Sequence, residues 1–399
     1  MSRYARRSDP PLRRPERIEV KEGNLPLRLI GMGVAILVAA LAFTYGFTSL
    51  LGTDTGWQQI SPGDDKTAIA QDFILSYEIG KTDQNPSAEM KGLSAVYTEA
   101  LQRASRVLST LEYEDTVNLY TLNTQPGQPV TVDPLLYEAF QTIEASGSRL
   151  PYLAPVFGQY TSLFASDYDE AAYDFDPDRS PEAAQYVAEI AAFAANPDQV
   201  RLKLLPDCQL ILEVSPEYLA YAAENEITRF VDLGMLYNAF VCDAVADALA
   251  ERGYTNGFLS SYDGYSRILC AQEFGLNVFD QADGKPVQLA VAKYTGPAAI
   301  VSCRSFPILE KDQMNYYTYA DGTVRGPYLN EAGLPHAAST SLAVGAEQGK
   351  AAELALRTLA AYAGEDSTFS ALSDLSWVSA QNGEVKTNGN LFQVEKPNA

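Results

Sequence analysis

The sequence predicts an α+β (mixed α/β) domain standing behind one apolar N-terminal helix. Three observations lead there. Residues 29–51 (LIGMGVAILVAALAFTYGFTSLL) carry no charge. Beyond them, short β-branched and aromatic runs alternate with stretches of helical period. Apolar types make up 46% of the 399 residues, enough for one large or two medium domains.

Taken in order, residues 1–28 hold eight bases against four acids. The uncharged run that follows exceeds the ~20 residues a helix needs to cross the hydrocarbon core. Bases before it and none just after it place the N-terminus inside. The expected organisation is a cytoplasmic basic tail (1–28), a transmembrane helix (29–51), a linker (52–68) and an extracytoplasmic domain (69–399). That describes a single-pass protein of the cell membrane. A cleaved signal peptide ending at Ala40-Leu41-Ala42 is the rival, but the apolar run continues past it.

The linker is rich in Gly, Asp and Ser. Phe73 to Tyr77 reads as a strand and Ala88 to Glu112 as a helix. A turn at Pro126-Gly127 leads to Val130-Thr131-Val132, and Asp133-Pro134 has the form of a helix N-cap and first position. Asp167 to Glu182 carries seven acids and reads as a solvated connector. Its Asp174, Asp176 and Asp178 mimic the start of a calcium loop, without that loop's glycine and terminal glutamate. Pro181 to Ala195 is a helix, and Val200 to Leu205 and Gln209 to Val214 are strands. A short strand ends at Asp232-Leu233-Gly234, and an alanine-rich helix runs on to Gly253. Further strands are expected in FLSSYDGYSRIL, Val287 to Lys293, Ala298 to Cys303 and Ser341 to Val344. The last helix is Glu347 to Tyr362.

Composition excludes several functions. A net charge of −22 repels nucleic acid phosphates. The single histidine, His336, expected exposed, rules out multi-histidine metal sites and disfavours a Ser-His-Asp hydrolase. Cys208, Cys242, Cys270 and Cys303 form no CxxC pair and read as free thiols.

Five segments in order resemble the FAD:protein FMN transferase (ApbE) family. VNLYTLNTQPGQPVTVDP is similar to its SEISRLN segment and following helix start, and LAPVFGQYTSLF to FDPTVGPLVNLW. VDLGMLYNAFVCD is similar to LDLGGIAKGYAVD, and SSYDGYSRIL to the NLGGNVR turn. GPYLNEAGLP with SLAVGAEQGKAAELALRTL is similar to HIIDPRTGYP with SVTVVAPSAMLADALSTAL. The resemblance spans about Phe73 to Phe392 and implies a T-fold-type flavin transferase domain. It also implies FAD and Mg²⁺ as cofactors. FMN, cut from FAD, would pass to a threonine of an extracytoplasmic flavoprotein or electron-transport component.

Carried over residue by residue, the cofactor-binding candidates are Asp232, Gly234, Asn238, Gly264 and Gly333. The metal candidates are Glu353, the Met235 backbone carbonyl and Thr358. The departures are pointed. Asn238 stands where the family has its lysine, Asp263 replaces a glycine, and Ala154 replaces the aspartate of FDPTVG. Gly326, Leu329 and Ala332 replace the histidine, aspartate and threonine of HIIDPRTG. Arg357 falls on the metal-binding threonine. Phosphate near Asp263 is repelled, and an arginine puts a cation where Mg²⁺ would sit, although a guanidinium can also hold phosphate. The expected function is a catalytically degenerate relative that binds a flavin or a partner. The alternatives are an active Mg²⁺-dependent transferase, with Glu353 as ligand and Arg357 on the phosphate, and an unrelated surface-binding module using the 24 tyrosines.

Overall fold

The computed structural model describes residues 54–63 and 68–396. The expected membrane span and basic tail lie outside them. Among the described residues no helix is long and apolar enough to cross a membrane.

The main sheet has eight strands, numbered here along the chain: β1 Gly56–Ile60, β2 Phe73–Ile79, β3 Gly257–Ser261, β4 Tyr265–Ile268, β5 Ala298–Arg304, β6 Ser341–Glu347, β7 Ser376–Gln381 and β8 Glu384–Asn388. All neighbours pair antiparallel, and their order across the sheet is their order in the chain. Helices fill the excursions: α1 Pro86–Val107, α2 Leu119–Thr124, α3 Pro134–Ser146, α4 Ala154–Phe164, α5 Asp169–Tyr173, α6 Pro181–Ala195, α7 Pro216–Glu224, α8 Tyr237–Glu251 and α9 Ala351–Tyr362. Between α6 and α7, Val200–Leu205 and Gln209–Val214 form a small sheet with Pro129–Thr131.

Both faces of the sheet are covered, and β5 shows how the sequence specifies this. Successive side chains of a strand point to opposite faces. Ala299, Val301 and Cys303 join the core beneath the helices, while Ala298 and Ile300 join a second cluster. That second cluster lies under a hairpin, Glu273–Ala282 with Lys285–Thr295. A strand buried on both sides reads as the continuous apolar run AAIVSC rather than an alternation. On the helical face, α8 lies on β3 and β4, α9 on β5, and α1 along α8.

Three expectations change. Part of the expected linker is β1, because Ile60 is buried in the core and the strand pairs along its length with β2. No strand precedes α8. The Asn123 side chain accepts from the Phe230 and Val231 amides at 2.7 and 3.1 Å and donates to the Val231 carbonyl at 2.9 Å. One amide side chain thus takes the backbone groups that a neighbouring strand would take.

The acidic run is also no solvated connector. Asp176 is fully buried and accepts from Tyr319 Oη at 2.8 Å and Arg325 Nε at 2.9 Å. Asp178 accepts from Arg325 at 2.6 Å, and Asp169 from Tyr317 Oη at 3.0 Å. The acids anchor the 317–325 segment, and among the described residues no cluster suited to a metal ion is formed. The tyrosines likewise serve the core: Tyr77, Tyr97, Tyr152, Tyr218, Tyr265 and Tyr362 are fully buried. All four cysteines are free thiols, three of them buried.

The two-sided sheet predicts where truncation costs most. Leu259 of β3 is fully buried, so Leu259→Ala should lose about 2–5 kcal/mol of stability in urea unfolding. Exposed Leu309→Ala should change stability by less than about 0.5 kcal/mol.

Candidate functional site

The segments singled out by the resemblance meet at the N-terminal end of α8, the β3–β4 turn, the 326–335 loop and α9. Asp232 enters α8 through an Asx turn, its Oδ1 accepting from the Gly234 amide at 3.0 Å. Arg229 lies 3.5 Å from its other oxygen. Burial raises the Asp232 carboxyl above its ordinary value. Gly234 has φ +51°, and a Cβ there would stand 2.3 Å from the Phe157 ring. Phe157 therefore covers the glycine directly.

Asn238 and Asp263 are bonded to each other. Asn238 Nδ2 donates to Asp263 Oδ2 at 2.9 Å. Their outer oxygens, Asn238 Oδ1 and Asp263 Oδ1, are both buried without a hydrogen-bond partner. Desolvation, aided slightly by Asp72, pushes the Asp263 carboxyl up to about 6. The substitutions for the family's lysine and glycine thus answer one another. Gly264 follows with φ +105°, and a Cβ there would also collide with the Ser302 carbonyl of β5. Gly333, φ +72°, closes a turn in which Asn330 Oδ1 accepts from the Ala332 and Leu334 amides at 3.0 Å each.

The three metal candidates stand in different surroundings. The Met235 carbonyl accepts from Tyr265 Oη at 2.6 Å. Glu353 is exposed on the outer side of α9. Thr358 is fully buried, its Oγ1 without a partner. Arg357 is held by Asp374, one contact being 3.0 Å, and donates to the Ala371 carbonyl at 3.1 Å. The Met235 carbonyl already accepts a hydroxyl, Glu353 faces solvent, and the guanidinium at the position that the resemblance gives to the threonine is held by Asp374. His336 is half-buried rather than exposed, with Nε2 3.5 Å from Glu365.

Asp243, retained from the motif, caps a helix. Its oxygens accept from the Ala351 and Ala352 amides, both at 2.8 Å, at the start of α9. Arg267 of β4 donates to it and to Asp247, the latter at 3.2 Å. A buried acid bonded to helix amides and a guanidinium is a structural device.

A cavity of about 690 Å³ lies between the 329–332 loop and α9, and none of the cofactor-binding candidates lines it. Leu329, Ala332 and Arg357, three of the positions where the motif is altered, line it together with Arg149, Leu153 and Ala360. Arg149 was missed in the sequence because no motif marks it. It lines the wall with its guanidinium bonded to the Ala194 and Val200 carbonyls at 2.8 and 2.6 Å.

No family model matches the chain, and no curated protein matches it. Solved structures do. Flavin transferase ApbE from Vibrio cholerae is 15% identical, aligns over 84% of this chain and 97% of its own, and has a TM-score of 0.53. A point mutant of that protein is 14% identical over 79% and 92%, with a TM-score of 0.47. Pseudomonas stutzeri flavinyl transferase ApbE in its apo form is 11% identical over 79% and 89%, also with a TM-score of 0.47. The fold of this chain is ApbE-like, on the strength of the first of these.

Two outcomes follow from the site's geometry. Asp243→Ala should cost about 3–5 kcal/mol in chemical unfolding, because it leaves Arg267 buried and uncaps α9. Asp263 has a raised carboxyl, so its contribution is complete below the unfolded value of about 3.9 and is lost as pH rises through about 6. The stability difference between the unmodified protein and Asp263→Asn should therefore move against the unmodified protein by about 2 kcal/mol between pH 4 and 7. A pH-independent difference would contradict the raised carboxyl.

Proposed function

We propose that this chain is a flavin transferase-like protein, anchored in the membrane by residues 29–51, whose extracytoplasmic domain binds rather than transfers. Its ligand is a flavin or an extracytoplasmic electron-transport flavoprotein. The observation that carries this reading is the Arg357–Asp374 pair. It fixes a guanidinium at the position where the resemblance requires a metal-binding hydroxyl. The exposure of Glu353 and the Asn238–Asp263 pair point the same way. A phosphoryl group crossing this site would find no lysine at 238, where asparagine stands. Charge stabilisation of that kind is worth about 10²–10³ in rate for each donor, without simple additivity.

The reading predicts no FMN adduct above background when the protein is incubated with FAD, Mg²⁺ and a threonine-bearing acceptor, measured by intact mass spectrometry. Adduct formation that Glu353→Ala abolishes would establish the active transferase with a rebuilt site instead.

A further inference from the structure

We infer that Asn238 and Asp263 form a proton-operated latch between the first turn of α8 and the β3–β4 turn. With Asp263 protonated, its Oδ1–H donates to Asn238 Oδ1 and closes a cyclic acid–amide pair. When that proton passes to solvent, the ring opens. One half of the ring is present, since Asn238 Nδ2 donates to Asp263 Oδ2 at 2.9 Å. The other half is two oxygens, Asn238 Oδ1 and Asp263 Oδ1, both buried and both without a partner. Buried acceptors left unmet are costly. A primary amide carries a donor and an acceptor on one carbon, and a protonated carboxyl does the same. In a coplanar pair already joined by one N–H···O bond, the remaining oxygens face each other, and one proton satisfies both.

The surroundings hold both groups in place and favour the proton. Tyr265 Oη donates to the Met235 carbonyl at 2.6 Å, which ties the start of α8 to β4. The Ser302 amide donates to the Gly264 carbonyl at 2.8 Å, which ties the turn to β5. Movement is therefore a poor way to relieve the two oxygens. The Ser261 hydroxyl is taken up by Tyr265, donating to its carbonyl at 3.3 Å and accepting from its amide at 3.0 Å. The titratable groups that face Asp263 are Asp72 before β2, Cys242 of α8, Tyr265 of β4 and Cys303 of β5. None of these is a cation. Burial pushes both thiols and the phenol up, so they stay neutral. Desolvation first, and the like charge of Asp72 after it, bring the Asp263 carboxyl to about 6. A lysine at 238 would hold Asp263 ionised, whereas asparagine is a neutral partner able to accept the acid's proton. The latch thus belongs to the two departures together.

The latch also bears on ligand choice, and there it rests on the flavin reading of this site. FMN should lose affinity with rising pH more steeply in the unmodified protein than in Asp263→Asn; equal steepness would overturn the latch. Absence of FMN binding at any pH counts against the flavin reading and leaves the latch to a ligand-free measurement. That measurement is hydrogen exchange of the full chain, read by mass spectrometry on the peptides that carry Asn238 and Asp263. Asp263→Asn is the reference, because two primary amides close the same ring without a titrating proton. Exchange in the two proteins should match at about pH 5 and diverge above about pH 7, where the unmodified protein opens up to about a hundredfold more. Asn238→Leu removes the acceptor, so it should open readily at about pH 5 and converge with the unmodified protein above about pH 7. A merely structural contact would give the same effect at both. If either variant fails to fold, infrared difference spectra of the unmodified protein decide. A protonated-carboxyl band should vanish with a midpoint of about 6, and an asparagine side-chain carbonyl band should shift with it. An exchange ratio that does not change with pH, or an asparagine band that does not titrate, overturns the inference.

Discussion

Asp243 accepts two amides from the first turn of α9 while its carboxylate meets Arg267 of β4, so one side chain joins three elements distant in the chain. Its surroundings explain why an acid is required there. The start of a helix leaves amides unbonded, and burying them without an acceptor costs about 1–3 kcal/mol each. The guanidinium of Arg267 is mostly buried as well and needs a counter-charge. Much else hangs from this junction. It sets where α9 begins, and therefore which α9 side chains face the core and which face the cavity. Lys350, just before α9, adds an exposed contact to Asp247 at 3.3 Å, which is worth little by itself.

The residues that differ from the resembled motifs are paired within this structure. Asn238 and Asp263 both depart from the family pattern, and each is the other's partner. Arg357 departs too, and Asp374 lies ready to hold it. The pairing satisfies these groups, apart from the two outer oxygens of the Asn238–Asp263 pair. The retained glycines persist for reasons of backbone space. Gly234 lies beneath Phe157 and Gly264 beside the Ser302 carbonyl, and neither position admits a Cβ.

Several features escaped the sequence because they depend on partners far along the chain. The acids between 167 and 182 look like a solvated run until Arg325, Tyr317 and Tyr319 arrive from more than a hundred residues away. Residues 56–60 look like a spacer, since five residues have too little pattern to declare a strand without β2 beside them. The segment before α8 has the composition of a strand, yet Asn123 satisfies its backbone. The surroundings of the metal candidates were not legible because a shift of one residue on a helix turns a side chain by about 100°. Thr358 thus points into the core while Arg357 faces outward.

What the sequence determined by itself was local or periodic. The N-cap at Asp133, the helix Pro181–Ala195, the strand from Ala298 to Cys303 and the order of the five motif segments were all legible. Each depends on neighbours within a few residues, so hydrophobic period and capping chemistry suffice. Tertiary structure alone decided which charges are paired and which tyrosines are core. Those outcomes depend on where distant segments meet, and a single chain of letters does not record that distance.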